Sequence, residues 1–242
     1  MARIPNTSRI LIKQSLGAIV LNGTSQYVDL GNLGPISTLT GAFTLAGWFK
    51  KTSLGTQSVV GDRGVGAIQR FNLTFNTAYR STTSITTSGG GTGLTLLSAY
   101  PLYGWEHNVL KYDTANSAFF RKGIKESSAP RAGTVSAPTG NMAIGSGNGG
   151  VRFWAGLIAD VKLWGRALSD AECFDIYANR DDTDIRSGMI GEWKLSSDAN
   201  DTFGSNNGTA VASPTFTTTD VPFGARTLAS NRVLSSGRTL IT

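Results

Sequence analysis

With one cysteine and one histidine in 242 residues, the chain has little of the equipment for covalent or metal chemistry. A lone Cys173 cannot form an internal disulfide framework or a multi-cysteine zinc site, so nothing requires an oxidising compartment. His107 could serve a hydrolytic triad only with an orienting carboxylate and a nucleophile, and the sequence places neither. Both residues read as packed groups. Long apolar runs are missing too. No stretch can span a bilayer, and the start, MARIPNTSRILIKQSLGAIV, lacks the apolar core and small-residue cleavage site of a secretion signal. The expectation is synthesis in the cytosol and no membrane role.

Net charge is absent from the middle of the chain. The formal charge of +6 lies in the two ends, where Arg3, Arg9 and Lys13 precede residue 17 and Arg226, Arg232 and Arg238 follow residue 225 with no acid among them. The remaining 16 basic residues balance the 16 acidic ones. A neutral body between two basic arms predicts a module held by its tails.

What the chain does have is glycine, 30 residues of it, and 40% hydrophobic residues in short runs. The dominant period is two. Phe71, Leu73 and Phe75 alternate with Asn72, Thr74 and Asn76, predicting a strand with one apolar and one wet face. Further runs bounded by Gly, Pro, Asn or Asp predict strands at 27–30, 43–51, 84–87, 108–112, 118–122, 141–146, 157–164 and 191–195. Gly89-Gly90-Gly91 and GSGNGG at 145–150 read as surface loops, with a ligand cradle as the alternative. One helix is marked by a capping box, Ser169 with Glu172, and by Leu168 and Cys173 placed as a hydrophobic staple. It should end near Asn179 and cover an end or edge of a sandwich.

In order, AIVLNGTSQYVDLG, FTLAGWFKK, WEHNVLKYD, FFRKG, MAIGS and FWAGLIADVKLWGRALSDAE resemble the laminin-G-like jellyroll of the concanavalin A-like lectin/glucanase superfamily, over roughly residues 17–180. The resemblance implies an all-β, two-sheet antiparallel jellyroll sandwich with one short helix, here with extended terminal arms. Residues 188–223 resemble a segment that in the family precedes the strand carried here as VLNG, and in this chain it comes last. Either the fold is circularly rearranged or a second repeat begins there. An isolated strand at Glu192–Leu195 needs a partner, which favours rearrangement. The expected organisation is an N-terminal arm at 1–16, a jellyroll at 17–225 with 188–225 supplying the closing strand, and a C-terminal arm at 226–242.

The superfamily's glucanases arrange acids alternately along one strand to flank a scissile bond. This chain has no Glu-x-Asp-x-Glu run, so no enzyme is expected and no catalytic residue is assigned. Lys122 and Ala159 stand where the family usually shows acids, so roles tied to those acids do not transfer. No cofactor is expected, except that Asp62, Asp198, Asn200 and Asp201 offer oxygen donors for a structural calcium, with local Asx-turns as the alternative. Trp48, Trp154, Trp164 and Trp193 fall at apolar family positions and read as core. Tyr79 and Tyr100, beside loops, are the candidate sugar platforms.

The C-terminal arm repeats every six residues, which aligns Arg226, Arg232 and Arg238 and likewise Leu228, Leu234 and Leu240. In an extended chain, an even spacing projects each set to one side, suiting a strand laid on a partner. Ile10 and Leu11, beside Arg9, repeat the style in the N-terminal arm. The partners expected are other protein subunits, in a homo-oligomer or a capsid or tail assembly. Cell-surface glycans are a further partner, and nucleic acid is not, since no aromatic interleaving accompanies the arginines. The sequence therefore reads as a non-enzymatic virion module, a phage capsid decoration or fibre protein, or alternatively as a free-standing carbohydrate-binding adhesion module.

Overall fold

The computed structural model describes residues 17–32, 34–62, 70–77, 81–88, 104–138, 140–147, 150–178 and 183–222. In chain order the strands are β1 (Ala18–Asn22), β2 (Tyr27–Gly31), β3 (Phe43–Lys51), β4 (Gln57–Asp62), β5 (Phe71–Phe75), β6 (Ser81–Ile85) and β7 (Glu106–Tyr112). They continue with β8 (Asn116–Arg121), β9 (Ile124–Pro130), β10 (Met142–Ile144) and β11 (Ala155–Trp164). After the helix α1 (Asp170–Tyr177) come β12 (Met189–Trp193), β13 (Thr209–Val211) and β14 (Thr215–Thr217). Two antiparallel sheets result. One has the order β14-β1-β11-β3-β7-β8-β9 with β12 also on β11, and the other β13-β2-β10-β4-β5-β6. This is the sandwich that the strand rhythm predicts and the jellyroll that the resemblance implies.

The ten-residue β11 organises the larger sheet. Its whole length pairs with β3, while its opposite edge is shared by β1, opposite residues 155–158, and β12, opposite residues 161–164. Between those halves a bulge at Asp160, with φ of 50°, shifts the register so that Ile158, Val161 and Leu163 all face the core. That core also takes Phe43, Leu45 and Phe49 from β3 and Phe71, Leu73 and Phe75 from β5. Trp154, Trp164 and Trp193 are fully buried, as their core reading expects, although Trp154 lies just before β11 rather than in a strand.

The helix begins where the sequence places it. Ser169 Oγ accepts the Glu172 N–H at 3.1 Å, and Glu172 Oε2 accepts the Ser169 N–H at 2.6 Å. Arg166 lays its guanidinium on the same carboxylate and, with the two Ser169 bonds, holds Glu172 at a pKa of about 2 against the opposing effect of burial. The stretch LWGRALSDAE is thus a helix-starting device. Its place differs from the expected end or edge of the sandwich. Cys173, Ile176 and Leu168 pack with Ala46, Val109, Phe120 and Trp164, so α1 covers the outer face of the larger sheet. Buried there, the Cys173 thiol is pushed up to about 12 and is no nucleophile. No helix among the described residues is long and apolar enough to cross a membrane.

The last segment returns to the same sandwich: β12 pairs with β11, β13 with β2 and β14 with β1. Trp193 seals this return, its indole N–H donating to the Asn206 carbonyl at 2.9 Å.

Candidate functional site

The acids singled out for calcium are engaged by the protein itself. Asp62 ends β4 rather than standing in a turn, and it is fully buried with Arg70. The Arg70 Nε and Nη2 groups reach its carboxylate at 2.9 and 2.7 Å, and the Arg70 backbone N–H donates at 2.8 Å. The cation Asp62 meets is a guanidinium, which corrects its reading as an ion ligand. Asp198 Oδ1 accepts the Asn200 N–H, an Asx-turn. Asp201 accepts the N–H groups of Glu192, Phe203 and Asn206 at 2.9, 2.9 and 3.1 Å. Burial works against its charge, but these donors hold it below the usual carboxylate range. Loop geometry therefore accounts for Asp198, Asn200 and Asp201, and no three His, Cys, Asp or Glu side chains gather to hold a metal ion among the described residues. The proposed platforms Tyr79 and Tyr100 lie outside the described residues. So do the arm positions Arg3, Arg9, Ile10, Leu11, Arg226, Leu228, Arg232, Leu234, Arg238 and Leu240.

A different constellation emerges from the registers of the smaller sheet. Thr209 is opposite Asp29, Asp29 opposite Ala143, Ala143 opposite Gly61, Gly61 opposite Asn72 and Asn72 opposite Ser84. Cross-strand partners project to one face, so a single row of small and polar residues crosses all six strands on the side away from the core. The middle of the row is tightly built. A Cβ on Gly61 would come within 2.9 Å of the Asn72 side chain, and one on Gly147 within 2.8 Å of Ser58 Oγ. Two expectations change here. Asn72 and Thr74 are only 1% and 6% exposed, so β5 has no wet face, and residues 145–147 are buried against the sheet instead of looping over solvent.

Toward the β13 edge the row opens into a shallow depression of about 370 Å³, lined by Asp29, Leu30, Gly31, Asn141, Asn207, Thr209 and Val211. Asp29 is held in place from two sides. The Gly31 N–H donates to Oδ1 at 2.8 Å and Asn141 Nδ2 to Oδ2 at 3.1 Å. Gly31 turns the chain there with φ of 69°. Two residues earlier on the same face of β2 stands Tyr27, opposite Val211, its ring 6.2 Å from that of Phe153. A half-buried aromatic pair thus adjoins a carboxylate, two amides and a hydroxyl. Hydroxyl-rich ligands with an apolar C–H face are what such a set holds. Sequence reasoning missed it, though the alternation Tyr27-x-Asp29-x-Gly31 within YVDLG was a readable sign of a decorated outer face.

The family model described as the concanavalin A-like lectin/glucanases superfamily matches residues 22–173. No curated protein sequence matches the chain. Among solved structures, a candidate carbohydrate binding protein from Bacteroides ovatus ATCC 8483 superposes with a TM-score of 0.61 at 19% identity, over 83% of this chain and 59% of that one. The CBM40 of the Ruminococcus gnavus IT-sialidase gives 0.55 at 23% identity, over 67% and 96%, and its structures include complexes with α2,3- and α2,6-sialyllactose. The heptameric SAP-like pentraxin from Limulus polyphemus gives 0.53 at 12% identity, over 67% and 82%. At these identities the likeness is one of fold.

Proposed function

The chain belongs to the concanavalin A-like lectin/glucanases superfamily, and from that premise we propose that it is a non-catalytic glycan-binding module whose sugar sits in the depression over β2 and β13. The observation that carries this reading is the convergence of Asp29, Asn141, Asn207 and Thr209 in one concavity beside the Tyr27–Phe153 pair. Two similar folds, the Bacteroides ovatus carbohydrate binding protein candidate and the Ruminococcus gnavus CBM40, support it. Glycoside hydrolysis would need an acid facing a second carboxylate across the bond, and Asp29 is the single carboxylate among the described lining residues. On a glycan array followed by calorimetry, Asp29→Ala should weaken binding of the best ligand by about tenfold or more, since a buried sugar hydroxyl loses a charged acceptor. The melting temperature should drop by no more than a few degrees, from the loss of the Gly31 and Asn141 bonds. Full binding by the variant would defeat the reading.

A second reading concerns assembly. Ala18 pairs with Thr217 across β1 and β14, so the described chain both enters and leaves its strands on the larger sheet. Beyond β14, Asp220 reaches over β3 and the start of β7, accepting from Lys50 Nζ at 2.6 Å and from Trp105 Nε1 at 2.9 Å. Attachment on one sheet and a depression on the other suit a sandwich tethered to partner subunits, as in a virion component, with its sugar face outward. Deleting residues 226–242 should then abolish oligomers or particle incorporation while leaving sugar affinity intact. Unchanged sizing would count against the tether.

A further inference from the structure

We infer that the depression selects a neutral sugar through a vicinal diol and discriminates against sialylated glycans, an inference that rests on the glycan-binding reading above. The charge of the lining points this way. Among its described residues Asp29 is the one acidic or basic side chain, flanked by the neutral Asn141, Asn207 and Thr209 and the apolar Leu30 and Val211. A sialoside brings its own carboxylate, permanently ionised at neutral pH, into a concavity that already presents one. Like charges set together across an interface oppose binding and are a common device for rejecting the wrong partner. The sandwich is shared with the sialyllactose-bound CBM40. A shared fold does not fix the ligand, because specificity resides in the groups that line the site.

The hydrogen-bond inventory specifies the diol. Each carboxylate oxygen has two acceptor directions. On Asp29, Oδ1 uses one for the Gly31 N–H and Oδ2 one for Asn141 Nδ2. One direction is left on each oxygen, so the carboxylate can accept two hydroxyls on neighbouring carbons while its own orientation stays locked. Thr209, directly opposite Asp29 on β13, adds a hydroxyl that donates or accepts. Val211 and Tyr27, the next outward pair along the same two strands, offer an apolar wall to the sugar's C–H face. A neutral pyranose meets all three demands without an unpaired charge.

Calorimetry with lactose, α2,3-sialyllactose and α2,6-sialyllactose, alongside an array of neutral hexoses, tests this. The expected result is that a neutral hexose ligand binds and that its sialylated form binds at least about tenfold more weakly, a gap that narrows at high salt as screening grows. Asp29→Asn should reduce the discrimination to under about threefold, because the amide keeps an acceptor and removes the charge. Sialyllactose binding as tightly as lactose would overturn the charge argument while leaving glycan binding intact. A neutral ligand that binds equally well with its diol deoxygenated would overturn the diol. No binding to any glycan would overturn the parent reading and this inference with it.

Discussion

Asp62→Ala should destabilise the fold by about 3–5 kcal/mol, lowering the melting temperature by roughly 10 °C, because it strands the Arg70 guanidinium in the interior without its counter-ion. Both side chains are 0% exposed. The pair closes the β4–β5 connection, with Nε and Nη2 on the carboxylate, and Nη1 reaches across to the Ile36 carbonyl, so it ties that hairpin to the 34–36 turn. Desolvating two ions is costly, and the attraction between them offsets that cost only while both are present. Removing both should therefore hurt less than removing one: Asp62→Leu with Arg70→Met should recover more than half of the loss. Urea denaturation of Asp62→Leu, Arg70→Met and the double variant checks this. Single variants costing under about 1 kcal/mol, or a double variant whose loss is the sum of the two, would contradict the account.

How much of this was legible beforehand depends on the range over which each feature is decided. FTLAGWFKK coincides with β3 from Phe43 to Lys51, and the Ser169–Glu172 box marks the start of α1, because alternation and capping are settled within a few residues. The face that α1 covers was not legible. Ala46, Val109 and Phe120 lie on three different strands, and only pairing brings them under Cys173 and Ile176. The polar side of β5 failed for the same reason. Asn72 looks like a solvent-facing residue until Gly61 and Gly147, both lacking a side chain, allow backbone to close over it.

Site residues divide in the same way. Asp62 shows only its oxygens in the sequence, and its partner is a cation eight residues along on the far side of a hairpin, a spacing that only the register of β4 with β5 reveals. Asp29 sits in a recognisable strand, but Asn141 and Thr209, which complete its surroundings, come from 112 and 180 positions away in the chain. The sequence offers Tyr79 and Tyr100 beside loops, whereas Tyr27, the aromatic next to the depression, is a strand residue paired with Val211.

His107 should make the fold acid-labile well above the pH at which carboxylates titrate. It is 3% exposed on the outer face of β7, with the Trp48 ring at 5.0 Å and the Tyr177 ring at 5.8 Å, and its Nδ1 has no hydrogen-bond partner. Burial, with the nearby positive charge of Lys162, depresses its pKa from 6.5 to about 3. That lysine is held charged by Asp160 at 2.7 Å and Glu192 at 3.5 Å, which outweigh its own desolvation, so the repulsion persists through the neutral range. A group whose folded pKa lies below its unfolded value adds stability in full above pH 6.5 and loses it as pH falls toward 3. The gap from 6.5 to about 3 corresponds to about 5 kcal/mol at about 1.4 kcal/mol per pH unit. Carboxylates also lose stability in acid, but the largest lowering among them, Glu172 from 4.5 to about 2, acts below pH 4.5. Between pH 6.5 and 5 the histidine therefore acts almost alone, contributing a fall of about 2 kcal/mol. Denaturation midpoints at pH 7, 6 and 5 should show that fall in the parent protein and a nearly flat profile in His107→Phe, whose ring fills the same space between Trp48 and Tyr177 without titrating. His107→Gln is the companion variant if the phenyl ring disturbs packing, and it should be equally flat. Parallel slopes in parent and variants would mean that the imidazole is solvated or partnered in the folded state, and the packing described for the outer face of β7 would be wrong.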